Sequence, residues 1–151
     1  YDGPQSLFLS AGDFVPESPD LPLSQGPSFG VLVTDSVFGG RGKAVIAPIH
    51  LPQGAEVTGI EVVATDSDPD VDLRIFPIRI REASANGRSF NLFTSGSSGL
   101  QTVTDTTSSF VVDEFPLAIE VTVVDESGAF SSWPGDSSLS IRWIEVQWEM
   151  P

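Results

Sequence analysis

The sequence predicts a single all-β domain, an antiparallel β-sandwich or jelly roll of roughly eight or nine strands. Short runs with an apolar residue at every second position recur along the chain, as in strands with one buried face. The 14 glycines and 12 prolines among 151 residues supply turns between these runs. No stretch shows a convincing amphipathic-helix pattern. Many short strands joined by glycine- and proline-containing turns are typical of sandwiches and barrels.

The first half of the chain contains a predicted strand pattern interrupted by one proline-rich stretch. Residues 1–28 are expected to be extended and to pack on their own or a neighbouring domain, with a loop from Val15 to Pro27. The predicted strands are Gln5–Leu9, Phe29–Thr34, Ala44–Ile49 and Glu56–Thr65.

The run Val71–Arg81 predicts an irregular strand. Its apolar residues alternate up to Ile75 and resume one position out of phase at Ile78. A one-residue slip exchanges the two faces of a strand, and proline cannot donate to a ladder. We therefore predict a β-bulge at Phe76-Pro77.

The second half continues the strand pattern to the end of the chain. The predicted strands are Phe90–Thr94, Leu100–Thr104, Leu117–Val124 and Leu139–Trp148. Asn86-Gly87 indicates a turn, and the last strand changes phase between Trp143 and Ile144. No internal repeat or linker divides the chain, so we expect residues 1–151 to form one domain.

The charge balance is strongly acidic, with 7 Lys and Arg against 21 Asp and Glu and a net charge of −14. Nucleic-acid binding requires a basic footprint, which this composition lacks. Anionic membrane surfaces should also repel the chain. The acidity fits a solvated surface in a salty medium, hard-cation binding or a basic partner.

Cysteine is absent, which excludes disulfides and cysteine-ligated metal sites. No apolar run approaches the roughly 20 residues of a transmembrane helix. The sequence begins at Tyr1 rather than Met. We interpret it as a mature, exported form and expect a secreted, extracellular, cell-surface or periplasmic location.

An acidic turn carries the clearest local motif. Alternating carboxylates at Asp66, Asp68, Asp70 and Asp72 could supply several of the oxygens that calcium requires. The alternative is a solvated turn in which aspartate side chains cap backbone groups. The motif is not an EF-hand, because it lacks the glycine and the glutamate of that loop.

Catalysis has little support in the sequence. His50 is the only histidine, it precedes a turn, and no nucleophile-elbow motif occurs. We predict no catalytic residues and no enzyme activity.

The large aromatic side chains are candidates for ligand or partner binding. Trp133 lies in a predicted loop, so it could form a sugar-stacking platform or pack in the core, and Tyr1 is the second candidate. For Trp143 and Trp148, in the last strand, core packing is the favoured interpretation.

Several short motifs suggest a family. They are Ala47–Ala55 (APIHLPQGA), Gly12–Pro16 (GDFVP), the glycine and serine loop Gly96–Gly99, and the closing strand Ile141–Glu149. Together they resemble a group of poorly characterised exported bacterial β-sandwich domains with an L-P-x-G-A turn. The resemblance implies export and a sandwich, and it implies no catalytic residues.

Two functions remain open at this stage. One is a structural subunit that self-assembles or docks into a larger surface or filament complex, with the N-terminal segment pairing to an exposed edge. The alternative is a carbohydrate-binding module, calcium-dependent if the acidic turn binds metal.

Overall fold

The computed structural model describes residues 3–26, 30–40, 42–79, 90–96 and 99–151. These ranges contain a short 3-10 turn at Ala11–Asp13 and twelve strands in two antiparallel sheets. None of their helical segments has the length and apolar character needed to span a membrane. The strands are β1 Gln5–Leu9, β2 Val15–Pro16, β3 Leu23–Gly26, β4 Gly30–Val33, β5 Val45–Ile49, β6 Glu56–Asp66, β7 Val71–Arg79, β8 Leu92–Phe93, β9 Gly99–Asp105, β10 Phe110–Val111, β11 Leu117–Asp125 and β12 Leu139–Glu149.

The seven-stranded sheet is organised around β6 and β12, which pair along their whole lengths. Strands β9 and β10 pair with the other side of β6. Strands β1 and β4 pair with the other side of β12, and β3 extends the sheet from β4.

The five-stranded sheet has the order β2-β5-β11-β7-β8, with β11 at its centre. Alternate residues of β11, namely Leu117, Ile119, Val121 and Val123, are buried in the core. The facing residues of β6 and β12 include Val62, Ala64, Ile144 and Val146, and they are buried in the same cluster. Each large apolar side chain so buried contributes roughly 1.5–3 kcal/mol, so the core between the sheets holds the sandwich together.

This architecture confirms the predicted fold class. The proline-rich stretch has more regular secondary structure than the loop predicted for it. It contains β2 and β3, which form short strands at sheet edges, and Pro16 ends β2. Proline is tolerated at such edge positions. The short strand β10 was also not predicted. Strands β1, β2 and β3 all pair with strands of their own chain.

The bulge predicted at Phe76-Pro77 is wrong. Strand β7 pairs with β11 in unbroken register, with Pro77 opposite Ile119 and Phe76 opposite Glu120. Phe76 is buried on the outer face instead, beneath the Arg74 guanidinium, 4.3 Å from the ring centre. Among the described residues β8 pairs only with Arg74 and Ile75, so Pro77 occupies an edge position.

The phase change in β12 is a true irregularity. The β6–β12 register shifts between Ile141 and Trp143, so Arg142 is an extra residue on β12. Ile141 and Ile144 consequently both face the core although three positions separate them.

The start of β4 gives a test of close packing between strands. Gly30 has φ 80°, and a Cβ at this position would collide with the carbonyl oxygen of Ile141. Gly30→Ala should therefore combine left-handed backbone strain with a steric clash and lower the free energy of unfolding by about 3 kcal/mol or more.

Gly42→Ala is the matched control, because Gly42 has φ 85° but, apart from its chain neighbours, no described residue has a heavy atom within 4 Å of the place that its Cβ would take. It should cost only the backbone term, roughly 1–2 kcal/mol. Urea denaturation of both variants measures the difference, and equal losses would contradict the packing argument.

Candidate functional site

The acidic turn places Asp66 in the interior rather than in solvent. Asp66 ends β6 and is fully buried. Its Oδ2 accepts a hydrogen bond from the Thr94 hydroxyl, and its Oδ1 accepts one from the Asp68 amide at 3.2 Å. Thr94 Oγ1 in turn accepts from the Leu73 amide at 2.9 Å. Asp66 therefore connects the end of one sheet to β7 in the other.

The neighbouring carboxylate of Asp68 shapes the turn. Asp68 Oδ1 accepts hydrogen bonds from the amides of Asp70 and Val71, at 2.8 and 3.2 Å. This is the capping arrangement typical of Asx turns. Within the ranges that the structure describes, no three His, Cys, Asp or Glu side chains are grouped to hold a metal ion. Calcium binding at Asp66, Asp68, Asp70 and Asp72 remains a prediction.

Burial, aided by the adjacent Asp72 carboxyl, raises the pKa of Asp66 from 3.8 to about 6. The hydrogen bonds from Thr94 and the Asp68 amide oppose the rise only in part. Since the folded pKa exceeds the unfolded value of 3.8, the folded state binds the proton more tightly. The stability that this proton contributes is complete below about pH 4 and is lost as the pH rises through about 6.

We expect Asp66→Asn to remove this pH dependence, because the amide keeps an acceptor for Thr94 without a buried charge. The variant should melt at a higher temperature than the natural protein at pH 7.5, and this advantage should vanish at pH 4. Thermal denaturation followed by circular dichroism at both values is the measurement.

Asp136→Asn provides a control of opposite sign. The side-chain and backbone hydrogen bonds from Ser138 hold the pKa of exposed Asp136 below its usual range. This variant should lose stability at pH 7.5 and none at pH values below the carboxyl pKa. If both variants shift the melting temperature in the same direction at pH 7.5, the assignment of Asp66 as a buried, raised-pKa acid is wrong.

Trp133 packs in the core, as the second interpretation of its loop position proposed. It is only 3% exposed, its indole N–H donates to the Lys43 carbonyl at 3.0 Å, and its amide donates to the Val37 carbonyl at 2.7 Å. The exposed Trp133 platform is therefore a wrong prediction. Tyr1 lies outside the described residues.

The two tryptophans of β12 differ in environment. Trp148 packs against the core, as expected. Trp143 is half-buried on the outer face, with its ring centre 6.0 Å from that of Phe8. Core packing is thus wrong for Trp143, because the extra residue in β12 leaves Ile144 rather than Trp143 facing inward.

His50 is exposed just beyond β5, where it lines a shallow groove of about 340 Å³ with Gln53, Glu114 and Phe115. The groove's other acid, Asp113, is ion-paired with Arg79. The Arg79 guanidinium also lies 5.5 Å from the centre of the Phe115 ring. These contacts tie the groove wall to β7.

Exposed aromatic side chains gather instead on the outer face of the five-stranded sheet. Phe38, Phe93 and Phe130 are 58%, 44% and 42% exposed. We call this surface the aromatic face. Apolar rings this exposed are candidates for ligand contacts, since burying them on binding is favourable.

Strand pairing explains why these three rings share one face. Phe93 pairs with Arg74, and Phe130 forms a bridge with Val124. Each partner alternates with core residues of its strand, so it faces outward. Phe38 bridges to Ser132, the neighbour of inward-facing Trp133, and its ring rests on Gly40. Three strand spacings separate Phe93 from Phe130, or roughly 14 Å.

Polar groups lie between the rings. Arg74 donates from Nε to Asn91 Oδ1 at 2.8 Å while its guanidinium covers Phe76. Thr122 of β11 pairs with Arg74 and is buried. Its hydroxyl has no hydrogen-bond partner among the described residues. Aromatic surface combined with hydrogen-bonding groups suits a ligand that is apolar on one face and polar at its edges.

Sequence reasoning did not identify this surface, because phenylalanine is normally assigned to the core. Phe93 could have been found from its alternation with buried Leu92. Phe38 and Phe130 lie outside the named strands, and only the isolated bridges reveal their orientation.

Comparisons with known proteins bear on the fold. No family model matches the chain. No curated protein matches it either. Solved structures of similar fold include the following three, all at low sequence identity.

The first is the CBM36-1 domain of a multidomain xylanase from the hindgut metagenome of Trinervitermes trinervoides, with TM-score 0.56, 10% identity and coverage of 94% of this chain and 96% of that one. The second is the xylan-binding module CBM15, with TM-score 0.54, 11% identity and coverage of 96% and 97%. The third is the Podospora anserina GH26-CBM35 β-(1,4)-mannanase, with TM-score 0.53, 13% identity and coverage of 100% of this chain but 29% of that one. Each of these three structures is, or contains, a domain named as a carbohydrate-binding module.

Proposed function

We propose that this domain is a non-catalytic carbohydrate-binding module that binds polysaccharide on its aromatic face. The single observation that carries the proposal is the alignment of Phe38, Phe93 and Phe130 as exposed rings on one sheet face. The fold likeness to carbohydrate-binding modules supports the choice of ligand class.

The chemistry of sugars suits this surface. A pyranose ring carries C–H groups on its faces and hydroxyls around its edge, so it can stack on an aromatic ring while its hydroxyls meet polar groups. Arg74 and Asn91 lie beside Phe93 and can meet such hydroxyls. The spacing of the rings across several strands favours an extended chain over a single sugar.

The neighbours direct the choice of first ligands. One is named as xylan-binding, and the others belong to a xylanase and a β-(1,4)-mannanase. We therefore propose β-1,4-linked plant polysaccharides, with xylan first. Such ligands are found outside cells, which agrees with the proposed exported location.

Alanine substitution of each ring tests the site. Phe38→Ala, Phe93→Ala and Phe130→Ala should each weaken binding of soluble xylan by about 1–2 kcal/mol, roughly a five- to thirtyfold loss, because each removes a stacking surface. Affinity electrophoresis and isothermal titration calorimetry measure the effect.

Val111→Ala is the control, because Val111 is similarly exposed but lies on the other sheet. Its binding should equal that of the natural protein. A natural protein that binds no polysaccharide in a broad glycan screen would refute the function. Binding that is insensitive to all three aromatic-face variants would refute the site.

The calcium dependence predicted from the sequence can be tested in the same binding assay. We propose that any calcium effect acts through the Asp66–Asp72 turn, so Asp70→Asn should abolish it. Titration of xylan with calcium and with chelator measures this effect. Equal affinities in the two buffers would show that the turn is structural, as the capping bonds of Asp68 favour.

A further inference from the structure

Strands β1 and β9 are edge strands on opposite sides of the β6–β12 pair in the seven-stranded sheet. Among the described residues, β1 pairs only with β12 and β9 pairs only with β6. Within the described ranges, the other edge of each strand therefore has no partner strand. Such an edge is a template for pairing with another strand.

Neither edge carries the usual safeguards. Strand β1 (QSLFL) has no charged residue and no proline, and β9 (GLQTVTD) has a single charge, at its last residue. Natural edge strands are commonly blocked by lysine, proline or a bulge. Both edge strands lack these features, although the chain contains 21 acidic residues.

The two edges also carry the most exposed large apolar side chains of the described chain. Leu100 on β9 is 62% exposed and Phe8 on β1 is 60% exposed. Both lie on the outer face of the sheet. Phe8 alternates with inward-packed Leu7 and Leu9, and Leu100 pairs with Thr65, whose neighbour Ala64 is in the core.

Strand direction makes the two edges complementary. Strands β9, β6, β12 and β1 are successively antiparallel, so β1 and β9 run in opposite directions. A second copy placed alongside in the same orientation would bring its β9 antiparallel to β1 of the first. Phe8 and Leu100 would then share one face across the junction.

We propose that copies of this chain associate head to tail, with β1 of one copy pairing to β9 of the next and Phe8 packing against Leu100. The contact uses different surfaces on the two copies, so it generates an open row rather than a closed dimer. Repulsion between copies of charge −14 opposes the contact, and salt screens that repulsion. Association should therefore strengthen with ionic strength.

Cysteine cross-linking tests the pairing directly, since the natural chain contains no cysteine. Oxidation of a mixture of Phe8→Cys and Leu100→Cys should give the mixed dimer, and the double variant should give a ladder of multimers. A disulfide requires close approach of the two Cβ atoms, so only adjacent positions react efficiently. Dominant homodimers in the separate single variants, or no cross-linking of the mixture, would overturn the proposal.

Sedimentation velocity across a concentration series, at low and high sodium chloride, supplies the second readout. Phe8→Lys and Leu100→Lys should each weaken association by roughly tenfold. Phe38→Lys, which has the same charge change at a similarly exposed ring on the other sheet, should leave association unchanged. A natural protein that stays monomeric at every concentration and salt level overturns the proposal, as do equal losses in all three variants.

Discussion

The antiparallel pairing of β6 with β12 is the constraint on which the rest of the sandwich depends. These two strands of 11 residues run side by side from Glu56 and Glu149 to Asp66 and Leu139. Every other strand of the seven-stranded sheet attaches to one of them, directly or through β4. Their inward residues also form one wall of the core, so register and burial reinforce each other. The extra residue at Arg142 lets Ile141 and Ile144 both reach that core without breaking the pairing.

Local pattern predicted most of this fold because strand alternation is a property of adjacent residues. The prediction failed where apolar side chains are buried on the outer face of a sheet rather than in the core. Phe76 and Ile78 both lie on the outer face of β7, so apolar residues that resume at Ile78 indicated a phase change that the backbone does not make. The short strands β2 and β3 were missed for another reason. They are held by partners distant in sequence, and their own composition of proline, serine and glycine resembles a loop.

The candidate site was less predictable, because surface position depends on long-range register. Trp133 and Phe130 lie close together in one loop, yet one is buried and the other exposed. The isolated bridges Phe38–Ser132 and Val124–Phe130 determine which side chain faces the core. Neither bridge can be recognised in the sequence. Asp66 shows the same limit. Its motif resembles a metal-binding turn, but the end of β6 directs its carboxyl toward Thr94, where burial raises the pKa.

The two proposed activities use opposite sides of the domain and can therefore operate together. A row formed through β1 and β9 grows in the plane of the seven-stranded sheet, which leaves the aromatic face of the other sheet uncovered in every copy. Because adjacent strands of a sheet are rotated by roughly 20–25°, the aromatic faces of successive copies would follow a spiral along the row. A polysaccharide repeats the same binding unit along its length, so several weak sites in a row could engage one chain at once. Linked sites gain affinity through effective concentration without any new contact. Modest affinity at one aromatic face would then suffice for firm attachment of the assembly.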